Sequence, residues 1–286
     1  MMNLNINDDS PEVLENEIAD LELRLRRAKE RLAKSKPVNS QLTILSSPST
    51  QSAHHYLLLL SDSALPLGSF AFSSGLESYL AHTRRTRSSS SAATSSFSSF
   101  LPLSLSSYAS TTLPFVLAAH RDPDPANVAT LDDTLDAAII CTVGRRASVA
   151  QGRALLSIWE KSIAGIADPG ARLKPFSDLL RASAVSAHLA PLFGAVAALC
   201  GLSLRQTAYV FMLGHVKALV SAAVRAGLFG PYHAQRILAS AQVQDDLLAV
   251  IEREWCTPVE RAGQCVPVME LWVGRHELLY SRIFNS

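Results

Sequence analysis

Apolar residues in this chain recur three or four positions apart, and no run of four to eight residues alternates cleanly between apolar and polar. A strand sheltering one face needs a period of two and a helix needs one near 3.6, so the pattern calls for helices and gives a sheet little support. Phe97, Leu101, Leu105, Tyr108 and Thr112 keep helical spacing, as do Leu131, Leu135, Ala138 and Thr142. Leu155, Ile158, Trp159, Ile163 and Ile166 form a further face that stops near Asp168, Pro169 and Gly170. A last long helix carries Ile237, Ala241, Leu248, Ile251 and Trp255 on one side. Two helices, from about His188 to Cys200 and from Leu204 to Arg225, are apolar nearly all round. Such helices belong in the middle of a bundle or in an oligomer interface. The expected fold class is all-α, a single helical-bundle domain with an N-terminal coiled-coil-like extension.

That extension begins at Ser10 and Pro11, a capping serine followed by a proline suited to the first helical position. Leu14, Ile18, Leu21, Leu25, Ala28 and Leu32 then alternate spacings of four and three, a coiled-coil seam of about three heptads. The expected organisation is a coiled-coil-like helix over 1–36, a polar linker over 37–55 and an all-helical domain over 56–286. Serine dominates between Arg84 and Thr112, and Ser88 to Ser91 offers too little apolar surface to bury, so a mobile loop is expected there. Pro102 implies a kink or a late helix start beyond it.

Composition narrows the function. Lys and Arg number 26 against 25 for Asp and Glu, so no whole-chain field draws nucleic acid or an anionic membrane. The apolar stretch from Leu189 to Leu204 is interrupted by Pro191, Gly194 and Gly201, and the one from Ala208 to Val224 carries His215 and Lys217. Both read as buried helix and not as membrane span. Four scattered cysteines and no secretion signal imply free thiols in a reducing cytoplasm. Phosphate-binding, dinucleotide-binding and paired-histidine zinc motifs are missing, so the chain is not expected to be an enzyme. Cys256 and Cys265, with eight residues between them, fit no common metal spacing, and adjacent His54 and His55 read as solvated. His188, His215 and His233 sit in or beside apolar helices, where histidine is usually a hydrogen-bonded core residue. Ser73 and Ser74 lack the frame of a nucleophile elbow and suit capping or a turn. No metal ligand is assigned.

Two stretches stand out. In the run from Leu65 to Glu77, Pro66 and Gly68 force a turn, Phe70 and Phe72 place aromatic bulk beside it, and Gly75 permits close backbone approach. The chain then closes on Tyr280, Ile283 and Phe284 at helical spacing with Arg282 between them. Aromatic residues and arginine dominate protein interfaces, so this tail suits a partner, although it could equally dock on its own domain.

Taken together, these two stretches resemble the urease accessory protein F (UreF) family. Arg145 with Gly152, the His188 to Gly194 stretch and Leu219 to Arg225 add to the likeness, which runs from Leu57 to the end. The resemblance implies an all-α homodimer that joins urease accessory proteins D (H in some systems) and G and assists GTP-dependent nickel delivery to apo-urease. Nickel and GTP would be handled by partner proteins, with no cofactor bound directly. The partner-binding residues it implies are Pro66, Gly68, Phe70, Ser73, Gly75, Glu77, Arg145, His276, Glu277, Tyr280, Arg282 and Phe284. Several relatives carry tyrosine where Phe70 stands, so a hydroxyl bond there is missing. The rival reading is a helical scaffold that multimerises through Leu14 to Leu32.

Overall fold

The computed structural model describes residues 50–83 and 90–285. The seam at Leu14 to Leu32 lies outside these residues, as does most of the expected linker. Residues 47–286 form one compact unit. Its elements are α1 (Thr50–Ser61), α2 (Leu76–Thr83), α3 (Ser90–Arg121), α4 (Pro125–Ala138), α5 (Thr142–Ile158), α6 (Lys174–Arg181), α7 (Leu189–Leu199), α8 (Leu204–Arg225), α9 (Pro231–Leu238), α10 (Ala241–Glu254) and α11 (Pro267–Arg275). There is no strand among the described residues.

The core forms around α3, which packs on α7, α8 and α10. Gly194 explains how closely α7 approaches, since a Cβ at that position would lie 2.2 Å from the Val116 carbonyl oxygen. Here glycine removes the side chain that would force the two backbones apart. Helix α8 starts with a capping box, Ser203 Oγ accepting from Gln206 N–H while Gln206 Oε1 accepts from Ser203 N–H. It is the one described helix long and apolar enough to cross a membrane, and 61% of that window is buried inside the fold. Lys217, the charge near its centre, donates to the Ser61 carbonyl at the end of α1, and His215 is buried at 8% exposure.

The expected serine-rich loop is corrected in part. Residues 84–89 lie outside the described set, but helix begins at Ser90 and runs for 32 residues through Pro102 and Pro114. One face of α3 buries Phe97, Phe100, Leu105, Leu113 and Val116, while Thr111 and Thr112 return their hydroxyls to carbonyls four residues back. Packing therefore outweighs the weak helix preference of serine and threonine. A proline removes the N–H that would reach the carbonyl four residues earlier. For Pro114 that carbonyl is Ser110, and Gly263 N–H supplies the missing bond at 3.0 Å.

Three further expectations shift. The last long helix divides into α9 and α10, because Ser240 caps the second through Val243 N–H. The Leu155 to Ile166 face passes through a π-turn at Trp159–Ile163, whose wider winding keeps Trp159 and Ile163 inside and leaves Ile166 at 79% exposure. The tail is not helical, since regular structure ends with the 3₁₀ turn His276–Leu278.

Candidate partner-binding face

The chain leaves α1 through a turn in which Leu67 N–H donates to the Leu65 carbonyl and Gly68 adopts φ +74°. Open space surrounds Gly68, so the left-handed backbone alone demands glycine. A 3₁₀ turn, Ser69–Ala71, then holds Phe70 outward at 62% exposure. Ser73 is fully buried, and its Oγ accepts Glu77 N–H at the start of α2. Gly75, at φ +85°, brings this start against α11, where a Cβ would come within 3.0 Å of Val273 N.

Glu77 joins the two stretches. Its carboxylate accepts from His276 Nε2 at 2.8 Å, Ile283 N–H at 2.7 Å and Phe284 N–H at 3.2 Å. Asn285 N–H adds a bond to the Ala71 carbonyl at 2.8 Å. Phe284 is 5% exposed beneath the Arg225 guanidinium, 4.5 Å above its ring, and Arg225 also donates to the Phe70 carbonyl. His276 is fully buried, with Nδ1 unpartnered. Ser73, Gly75, Glu77, His276 and Phe284 thus build the face from within, while Phe70, Leu278, Tyr280, Arg282 and Ile283 stand outside it.

Arg145 belongs to a neighbouring network. Its guanidinium donates to the Asp136 and Ile139 carbonyls, at 2.6 and 3.2 Å, and pairs with the Asp136 carboxylate at 3.4 Å. Asp136 Oδ1 accepts from His188 Nε2 at 2.9 Å, and His188 Nδ1 lies 3.0 Å from Ser148 Oγ. Burial works to raise the Asp136 carboxyl, but the His188 bond, the nearby positive charges and a Ser186 bond together hold it below its ordinary value. One helical turn earlier, buried Asp132 accepts from the backbone N–H groups of Ser186, Ala187 and His188. Ala187 is thereby held at φ +68°, a conformation costly for a residue with a Cβ. Gly152 leaves room for this loop, since a Cβ there would sit 2.1 Å from the Ala187 carbonyl oxygen. Arg146 then spans to Glu277 at 2.6 Å and ties α5 to the tail. Residue reading alone missed the network, although Asp132 with Asp136 and Ser148 with Gly152 each repeat at four residues, which places them on one helix face.

Between α3, α5 and α11 lies a cavity of about 500 Å³, lined among others by Tyr108, Ser148, His215, Met269 and Glu270. Tyr108 stacks on His215 with ring centres 4.0 Å apart, and Ser104 Oγ lies 3.0 Å from His215 Nε2. Burial holds the imidazole neutral by pushing its pKa down to about 3. Among the described residues no group of three or more His, Cys, Asp or Glu could hold a metal ion. His54 and His55 are exposed on α1, and Cys256 and Cys265 are exposed free thiols.

The UreF family model matches residues 92–242, more than half of the chain. This chain belongs to the UreF family. A Schizosaccharomyces pombe protein named as an uncharacterized urease accessory protein UreF-like is 37% identical over 240 residues, covering 83% of this chain and 99% of that protein. The urease accessory protein F of Oryza sativa subsp. indica is 32% identical over 79% of this chain and 82% of its own length. The urease accessory protein UreF of Paenarthrobacter aurescens is 32% identical over 79% and 95% respectively. The UreF match takes in the Asp132–Asp136–Ser148–His188 network and most of the cavity's α3, α5 and α8 wall.

Proposed function

We propose that this chain is a urease-maturation protein that bridges the D/H-type and G-type accessory proteins in the cytoplasm and so assists GTP-dependent nickel delivery to apo-urease. It acts by holding partners in one geometry, which raises their effective concentration and couples nucleotide state to metal handover. Nickel is cargo in this reading. The observation that carries it is the joining of the two stretches by Glu77, which leaves Phe70, Tyr280, Arg282 and Ile283 on one supported face. Aromatic and arginine side chains anchored from behind suit an interface, because little freedom remains to be lost on binding. Titration of the D/H-type protein with Phe70→Ala, Tyr280→Ala and Arg282→Ala tests it. At least one variant should lose about thirtyfold in affinity, which corresponds to about 2 kcal/mol. Wild-type affinity in all three, with unchanged melting, overturns the assignment.

Homodimerisation belongs to the same proposal. The face that fits it is the apolar groove of about 390 Å³ between α1, α8 and α10, where Leu58 and Leu248 are 57% and 46% exposed beside Tyr209 and Leu213. Sedimentation of Leu58→Glu should show a monomer; an unchanged dimer would place the interface elsewhere.

A further inference from the structure

The turn between α4 and α5 consists of Ile139, Ile140 and Cys141, and Ile140 stands 82% exposed. Water-facing turns favour glycine, asparagine, aspartate or serine, each for a backbone reason that isoleucine does not share. At that exposure Ile140 adds little to the core, yet the turn that carries it is fixed from several sides. Arg145 binds the Ile139 carbonyl, and Asp136 is held between Arg145 and His188. Cys141 Sγ lies 3.9 Å from where a Cβ on Gly274 would be, so the turn rests against α11. The Arg146–Glu277 pair then links the start of α5 to the residue three positions before Tyr280. Ile140 is therefore continuous with the face that carries the tail.

We infer that Ile140 is a second anchor of the partner-binding face, and that the D/H-type protein which binds the tail also covers the Ile139–Cys141 turn. The inference rests on the tail assignment made above. A β-branched side chain on a fixed turn loses little freedom when covered, so its burial goes almost wholly into binding. The surrounding charges state what the partner must present. Arg146, Arg275 and Arg282 are exposed around the turn and tail, against Glu270 and Glu277, and Glu277 is already paired to Arg146. The complementary surface is an apolar recess with carboxylates at its margin.

The test is titration of the full chain against the D/H-type protein, comparing Ile140→Asp with Ile166→Asp, whose isoleucine is equally exposed beyond the far end of α5, about 25 Å along that helix. Ile140→Asp is expected to weaken binding at least tenfold, Ile140→Val to keep it, and Ile166→Asp to stay within twofold of wild type, with all three melting normally. Equal affinity for Ile140→Asp and Ile166→Asp overturns the inference. Tyr280→Ala, run beside them, separates the two readings. Loss from Tyr280→Ala without loss from Ile140→Asp removes the turn and keeps the tail as the partner's site, whereas wild-type affinity in Ile140→Asp and in Phe70→Ala, Tyr280→Ala and Arg282→Ala alike removes both.

Discussion

A single carboxylate decides whether the last residues of this chain are surface ornament or structure. Glu77 is 12% exposed and takes three donors that no other acceptor reaches in the described structure, so removing it leaves a buried imidazole N–H and two backbone N–H groups unpaired. Each such loss costs about 1 to 3 kcal/mol, and part of it is recovered as the tail detaches into water. Glu77→Ala is therefore expected to lose about 2 to 4 kcal/mol in urea unfolding and to expose the tail to limited proteolysis; a variant with wild-type stability would show that Phe284 alone seats it. His215 makes a different demand. Its folded pKa of about 3 lies below the ordinary 6.5, so the unfolded chain binds a proton that the folded chain refuses anywhere between those values. The associated stability is full above pH 6.5 and is lost as pH falls toward 3, at up to about 1.4 kcal/mol per pH unit. Moving from pH 7 to pH 5 should cost the wild type about 2 kcal/mol more than His215→Gln. Parallel pH profiles for the two proteins would mean that the imidazole is hydrated inside the cavity.

Helix against helix, the decisive contacts are made where side chains are missing. Gly194→Ala would place a methyl 2.2 Å from the Val116 carbonyl oxygen, and neither α3 nor α7 can move without disturbing the core. It should cost about 3 kcal/mol or more. Gly214→Ala, inside α8 with nothing within 4 Å of the new methyl, should instead gain about 0.5 to 1 kcal/mol from helix preference. Thermal melting of the pair checks both, and opposite shifts are the expected result. Both glycines stand in runs that read plainly as helix, and α7 and α8 emerge within a residue or so of their expected limits, because all-round apolar composition leaves no other place for them. The start of α3 was hidden for the converse reason. Its helix comes from the buried face of Phe97, Phe100 and Leu105 and from a donor at Gly263, and that donor lies 149 residues away from the proline it compensates.

Across the whole molecule, the residues of the candidate face were legible one at a time, but their division of labour was not. Aromatic bulk at Phe70 and Tyr280 signals contact, whereas nothing local distinguishes Phe284, which is buried, from Tyr280, which is fully exposed. Only the fold, by bringing Glu77 to the chain's end, separates them. The same geometry makes the two ends of the chain unequal. Among the described residues the core cluster runs from Tyr56 to Phe284, inside the compact unit 47–286. A protein beginning at residue 47 keeps every residue of that cluster, so it should unfold in urea with the midpoint and slope of the corresponding transition in the full chain. Removing the last eight residues, from Leu279 to Ser286, should behave otherwise. It uncovers the site filled by Phe284, strips Arg225 of the ring beneath it and leaves the Glu77 carboxylate with His276 as its remaining partner among the described residues. Burial of a phenylalanine and two charge-assisted backbone bonds set the expected loss at about 3 to 5 kcal/mol. Should the C-terminal deletion unfold at the wild-type midpoint while the N-terminal one falls, the tail would be an appendage and the stabilising contacts would lie in the first 46 residues.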